Sequence, residues 1–149
     1  LTAFWKAVEE GNTECMEEYL NKTLSNTIRV FDTKAPDAEK ENSYHTFLVG
    51  LLAGNSNWLV RSNVEAGEGF ADIIIEPEDP DAGIIFVLKH ARVASGLNKS
   101  CEKAITQIRG RKYEEYLKND GRNKIVLYGI AFYKKRCKVI VERINGERD

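Results

Sequence analysis

Two short apolar runs in mid-chain, residues 70–75 (FADIII) and 83–88 (GIIFVL), constrain the fold of this sequence more than any other feature. They flank an acidic, proline-containing stretch, residues 76–82. Rich in Ile and Val and too short for separate helices, they read as neighbouring strands joined by a hairpin-like connection. Each carries one charged misfit: Asp72 interrupts the first run and Lys89 closes the second. A charge inside a buried strand costs on the order of several kcal/mol unless it is paired or put to use. Both residues are therefore candidates for the centre of a site, although a salt bridge between adjacent strands would satisfy them equally well.

The rest of the chain supplies layers for those strands to pack against. Residues 2–10 place Phe4, Trp5 and Val8 on one helical face ended by Gly11-Asn12, and residues 13–24 follow with Met16, Tyr19, Leu20 and Leu24 at helical spacing. Residues 25–30 have no clear period. Residues 31–40, charged and containing Pro36, read as a linker, so residues 1–40 are expected to form an N-terminal helical connector and residues 41–149 the main domain. Residues 41–54 carry Tyr44, Phe47, Leu48, Leu51 and Leu52 at helical spacing and stop at Gly54-Asn55. Residues 57–64 alternate at period two, as a strand does. Residues 97–119 read as the longest helix, its buried side formed by Cys101, Ala104, Ile105, Ile108, Tyr113, Tyr116 and Leu117. Strands at 124–132 and 136–144 surround a basic turn. Helix, three strands, helix, two strands predicts an α/β sandwich with a mixed sheet flanked by helices.

Composition narrows the function. A chain of 149 residues, 42% hydrophobic and 30% charged, suits one soluble globular domain. A net charge of -1 gives no global positive field. Basic residues nevertheless dominate between Lys89 and Lys138 (Lys99, Lys103, Arg109, Arg111, Lys112, Lys134, Lys135, Arg136), compatible with a phosphate-bearing ligand or with solvated faces. Cys15, Cys101 and Cys137 are odd in number and outside any CxxC spacing, as expected of reduced thiols in an intracellular, cytoplasmic protein. No apolar run approaches the roughly 20 residues of a membrane span, and no signal segment opens the chain. The start at Leu1, directly in helical pattern, reads as a fragment of a longer protein. The absence of GxxxxGK[ST] and of a nucleophile elbow argues against nucleotide triphosphate and acyl chemistry. His45 reads as a packed or surface side chain and His90 as a neighbour of the site, rather than as metal ligands, and Tyr113 and Tyr116 as core rather than base-stacking platforms.

An α-βββ-α-β order with an acid in the second strand and a lysine closing the third resembles the PD-(D/E)XK nuclease superfamily, and more narrowly the nuclease domain found C-terminal to AAA-ATPase-like domains. The resemblance rests on the SYHTFLVGLL helix, the SNVEAGEGFADIII segment leading to Asp72, the IIFVLKHA strand, the AITQIRGRKYEEYL helix and the YGIAFYKKRCKV strands, over about residues 41–141. It implies a restriction-endonuclease-like fold, DNA phosphodiester hydrolysis with Mg²⁺ or Mn²⁺, and an upstream AAA-ATPase-like domain to which residues 1–40 would connect. Asp72 would bind the metal, Lys89 would orient the attacking water and offset charge on the phosphate, and Gln107 would support them. Lys103, Gln107 and Arg111 follow at i, i+4 spacing, so that one helix face would meet a nucleic-acid backbone phosphate.

The sequence departs from that pattern at the second acid, where Glu-x-Lys reads Val87-Leu88-Lys89. Two readings follow. Another carboxylate completes the metal site, from Glu41 at the start of the first core helix or from Glu65 or Glu68 before Asp72, with Glu65 favoured. Alternatively, the fold has kept its binding surface and lost its chemistry, leaving a DNA-binding or protein-interaction module. Glu76 lies four strand residues from Asp72, about 13 Å, too far to share an ion.

Overall fold

The structure, a computed structural model, describes the backbone of residues 1–26, 37–65, 70–110 and 113–145, and the side chains of these except residues 37–39, 41, 63–65, 70, 71, 107–110 and 145. Two helices come first, α1 (Thr2–Glu10) and α2 (Thr13–Ser25). Gly11 separates them at φ 77, a left-handed conformation that glycine adopts without penalty. Asn12 then caps α2, its side chain accepting the Cys15 N–H at 3.1 Å.

A third helix, α3 (Asp37–Ala53), begins four residues earlier than the apolar spacing predicts. Residues 37–40 are its first turn and not part of a linker. That turn is charged, so the periodicity has nothing there to register, although backbone hydrogen bonds extend the helix regardless.

The sheet contains β1 (Leu59–Glu65), β2 (Phe70–Glu76), β3 (Ala82–His90), β4 (Lys124–Tyr133) and β5 (Arg136–Asn145), in that spatial order. The pairs β1·β2, β2·β3 and β4·β5 are antiparallel, and β3·β4 is parallel. A parallel pair needs a crossover connection. Here it runs through a 3₁₀ turn (Ala94–Gly96), α4 (Leu97–Gly110) and α5 (Tyr113–Asn119). The segment expected to be helical over 97–119 is helical over Leu97–Gly110 and Tyr113–Asn119, the described parts of it. The mixed five-stranded sheet with helices on both faces is the expected α/β architecture.

Strand alternation sorts the side chains into two cores. On one face Ile73, Ile75, Ile84, Phe86, Leu88, Tyr128, Ile130, Phe132 and Val139 pack against α1, α2 and α3. On the other, Ile74, Ile85, Val87, Ile125 and Leu127 meet Ala104 of α4 and Leu117 of α5. Gly129 lets α4 lie close, since a Cβ there would stand 2.7 Å from the Cys101 carbonyl oxygen.

The first two helices are joined to the sheet by specific bonds as well as apolar burial. Tyr128 donates its hydroxyl to the Val8 carbonyl at 2.5 Å, Trp58 donates to Glu9 at 2.9 Å, and Trp5 donates to the Leu51 carbonyl at 2.9 Å. Along β5, Asn21 and Glu17 of α2 accept the outward backbone N–H groups of Cys137 and Val139, each at 2.7 Å.

Candidate functional site around Asp72

Asp72 belongs to the α4/α5 face, the same face as Ile74, and is fully buried. Its register partner on β3 is Val87. The position where the sequence pattern leads one to expect a second acid therefore stands directly across from Asp72, where Cβ atoms are about 5 Å apart. Val87 is itself fully buried, in an apolar cluster with Ile85, Ala104 and Leu127. The loss of the acid is thus built into core packing. Lys89 follows two residues on, on the same face and half-buried, with Ala131 as its parallel partner.

Sequence reasoning missed the residue that reaches the carboxylate. Tyr113, in the first turn of α5, donates its hydroxyl to Asp72 Oδ2 at 2.5 Å. Its spacing in the sequence matches the buried stripe of one continuous helix. Tyr116, expected in the same stripe, is 42% exposed, and its hydroxyl donates to Glu76 at 3.0 Å.

His45 lies beneath the same strand. It shares the buried side of α3 with Leu48 and Leu52 and lies against the backbone of Asp72. Burial holds its imidazole below the ordinary histidine range, partly opposed by the nearby Asp72 backbone. His90, at the end of β3, is buried in a stack with Tyr44 (ring centroids 5.9 Å apart), and Tyr44 stacks on Phe132 at 4.5 Å. Both histidines are packed side chains. Tyr44 also donates its hydroxyl to the Lys134 carbonyl at 2.7 Å, tying α3 to the basic turn between β4 and β5.

The other candidates lie further off or outside the described residues. Lys103 is exposed on α4. The side chains of Gln107, Glu41 and Glu65 lie outside the described residues, as do Glu68 and Arg111 altogether. The backbone register pairs Glu65 with Phe70, two positions from the Asn63–Asp72 pair. Glu76 is taken up elsewhere, accepting from Arg61 at 3.2 Å and Tyr116. The thiols are free. Cys101 donates its Sγ–H to the Lys138 carbonyl at 3.0 Å, and burial pushes its pKa up to about 12, so it is inert as a nucleophile.

A hard divalent cation requires several oxygen ligands. Among the described residues no group of three His, Cys, Asp or Glu side chains could hold a metal ion, and the Asp72 carboxylate faces a valine and a tyrosine hydroxyl. The described donor set does not fit a metal.

The sheet order, the crossover and the Asp72–Val87–Lys89 row together define a restriction-endonuclease-like domain. The chain belongs to the PD-(D/E)XK nuclease superfamily, whose family model matches residues 39–142. Members of that superfamily are nuclease-like and generally use divalent metals. Neither the curated proteins nor the solved structures include a match to this chain. Among the described residues no helix is long and apolar enough to cross a membrane.

Proposed function

We propose that this chain is a nuclease-fold module that binds DNA phosphates and whose hydrolytic activity is weak or lost, working beside an upstream AAA-ATPase-like domain to which residues 1–40 connect. The observation that carries this reading is the pairing of Asp72 with a buried Val87 in place of a second acid. One carboxylate leaves a dication with too few protein ligands for tight binding, and hence too little Lewis acidity at a phosphodiester. The end of the sheet that bears Asp72 and Lys89 also bears the exposed cations Arg92, Lys134 and Arg136. Lys134 holds a left-handed φ of 52, a conformation that costs a lysine about 1–2 kcal/mol. Such a rim suits phosphate contacts that position DNA without reading its sequence. Lys103 would extend it along α4.

Cleavage and binding of single- and double-stranded DNA with Mg²⁺ or Mn²⁺ test the reading. The expected result is salt-sensitive binding without cleavage, weakened several-fold by Lys134→Ala with Arg136→Ala. Metal-dependent cleavage abolished by Asp72→Ala and by Lys89→Ala would overturn it. That outcome would favour the second reading, a nuclease completed by Glu65 or Glu41, for which the supporting observation is the nearness of Glu65 to Asp72 in the β1·β2 register. Absence of DNA binding at low salt would favour a protein-interaction module.

A further inference from the structure

We infer that the Tyr113 hydroxyl takes the place of a divalent cation on Asp72, and that this contact, more than the absence of an acid at Val87, closes the centre to metal. The inference deepens the reading of a weakened metal site and rests on it. Asp72 is fully buried and its Oδ2 accepts from Tyr113 at 2.5 Å. A carboxylate held in a low-dielectric interior needs a donor or a cation. The phenol supplies a donor that arrives with its own helix and needs no exchange with solvent.

Tyr113 packs against the cluster of Val87, Ile85, Ala104 and Leu117, which provides no further described oxygen ligand to complete a coordination sphere. The same hydroxyl also occupies the space where a hydrated ion would approach Oδ2, because an oxygen 2.5 Å from the carboxylate lies at about the distance of a metal ligand bond. A metal must therefore displace the hydroxyl before it can bind. The competition makes Tyr113 a specificity-determining residue: it decides between a proton donor and a cation at one carboxylate oxygen.

Mn²⁺ binding followed by electron paramagnetic resonance separates this inference from the question of activity. The chain as it stands is expected to bind Mn²⁺ only weakly. Tyr113→Phe, which keeps the ring in its apolar contacts and removes the oxygen, is expected to tighten binding about tenfold or more, the worth of one charge-assisted hydrogen bond. Adding Asp72→Asn to Tyr113→Phe should abolish that gain. An unchanged Mn²⁺ affinity in Tyr113→Phe, with native circular dichroism, would overturn the inference even if the domain proves inactive on DNA. A second measurement needs no variant at position 113: the side-chain ¹³C shift of Asp72 is expected to stay fixed in millimolar Mg²⁺. A saturable Mg²⁺-dependent movement of that resonance would show that the hydroxyl does not exclude the ion. Conversely, cleavage by the unmodified chain through a distant acid would sink the functional reading while leaving the Tyr113 result to stand on its own.

Discussion

Asp72 and His45 show how a buried polar residue is tied to its surroundings. Asp72 accepts the Tyr113 hydroxyl at Oδ2 from α5, and His45 lies against its backbone from the opposite side. The imidazole is held below its usual value near 6.5 by burial, so between that value and its lowered folded value the unfolded chain binds the extra proton. Stability is then full above about pH 6.5 and falls as pH drops through the folded value. Urea midpoints should fall between about pH 7.5 and about pH 5.5. His45→Asn, which does not titrate, should flatten that slope; equal slopes in both proteins would assign the loss to other groups. Asp72 and Lys89 were legible in the sequence as charges out of place in apolar runs. Tyr113 and the inward aim of His45 were not, because each obeys the helical period of its segment and only three-dimensional packing decides which polar atom it meets.

The strands were legible from the sequence, whereas the start of α3 was not. Alternation and Ile/Val content locate all five strands, and the acidic connection of residues 76–82 joins β2 and β3 as expected, clamped by Arg122, which donates to the Ala82 carbonyl at 2.7 Å. The first turn of α3 was hidden because its charged residues give the apolar period nothing to register. Gly129 carries a similar message at the junction of α4 and β4. A methyl group there would meet the Cys101 carbonyl at 2.7 Å and the Ile105 side chain at 3.0 Å, and backbone cannot yield as a flexible side chain does. Gly129→Ala should destabilise the domain by about 1–3 kcal/mol, read as a lower urea midpoint with unchanged far-ultraviolet circular dichroism. A neutral substitution would mean that α4 can lift from the sheet at little cost.

The whole molecule gives the first two helices more weight than a simple tether would need. Phe4, Val8, Met16, Leu20 and Leu24 are fully buried against one face of the sheet. At about 1.5–3 kcal/mol each, their removal exceeds much of the 5–15 kcal/mol typical of a domain's net stability. A chain lacking residues 1–25 is expected to unfold or aggregate, measured by the loss of a cooperative melting transition and of a monodisperse species in solution. Retention of both would show that the sheet and α3 to α5 fold alone, leaving the first helices free to serve only as a connector.

The two backbone bonds that Asn21 and Glu17 accept from β5 make the two margins of the sheet unequal. Strand-to-strand growth needs a donor row on each margin, and at its hairpin end β5 has already spent its donors on α2. Copies meeting along β1 would thus form a pair with no second matching margin there, so that association through the sheet stops at two instead of running on into a fibre.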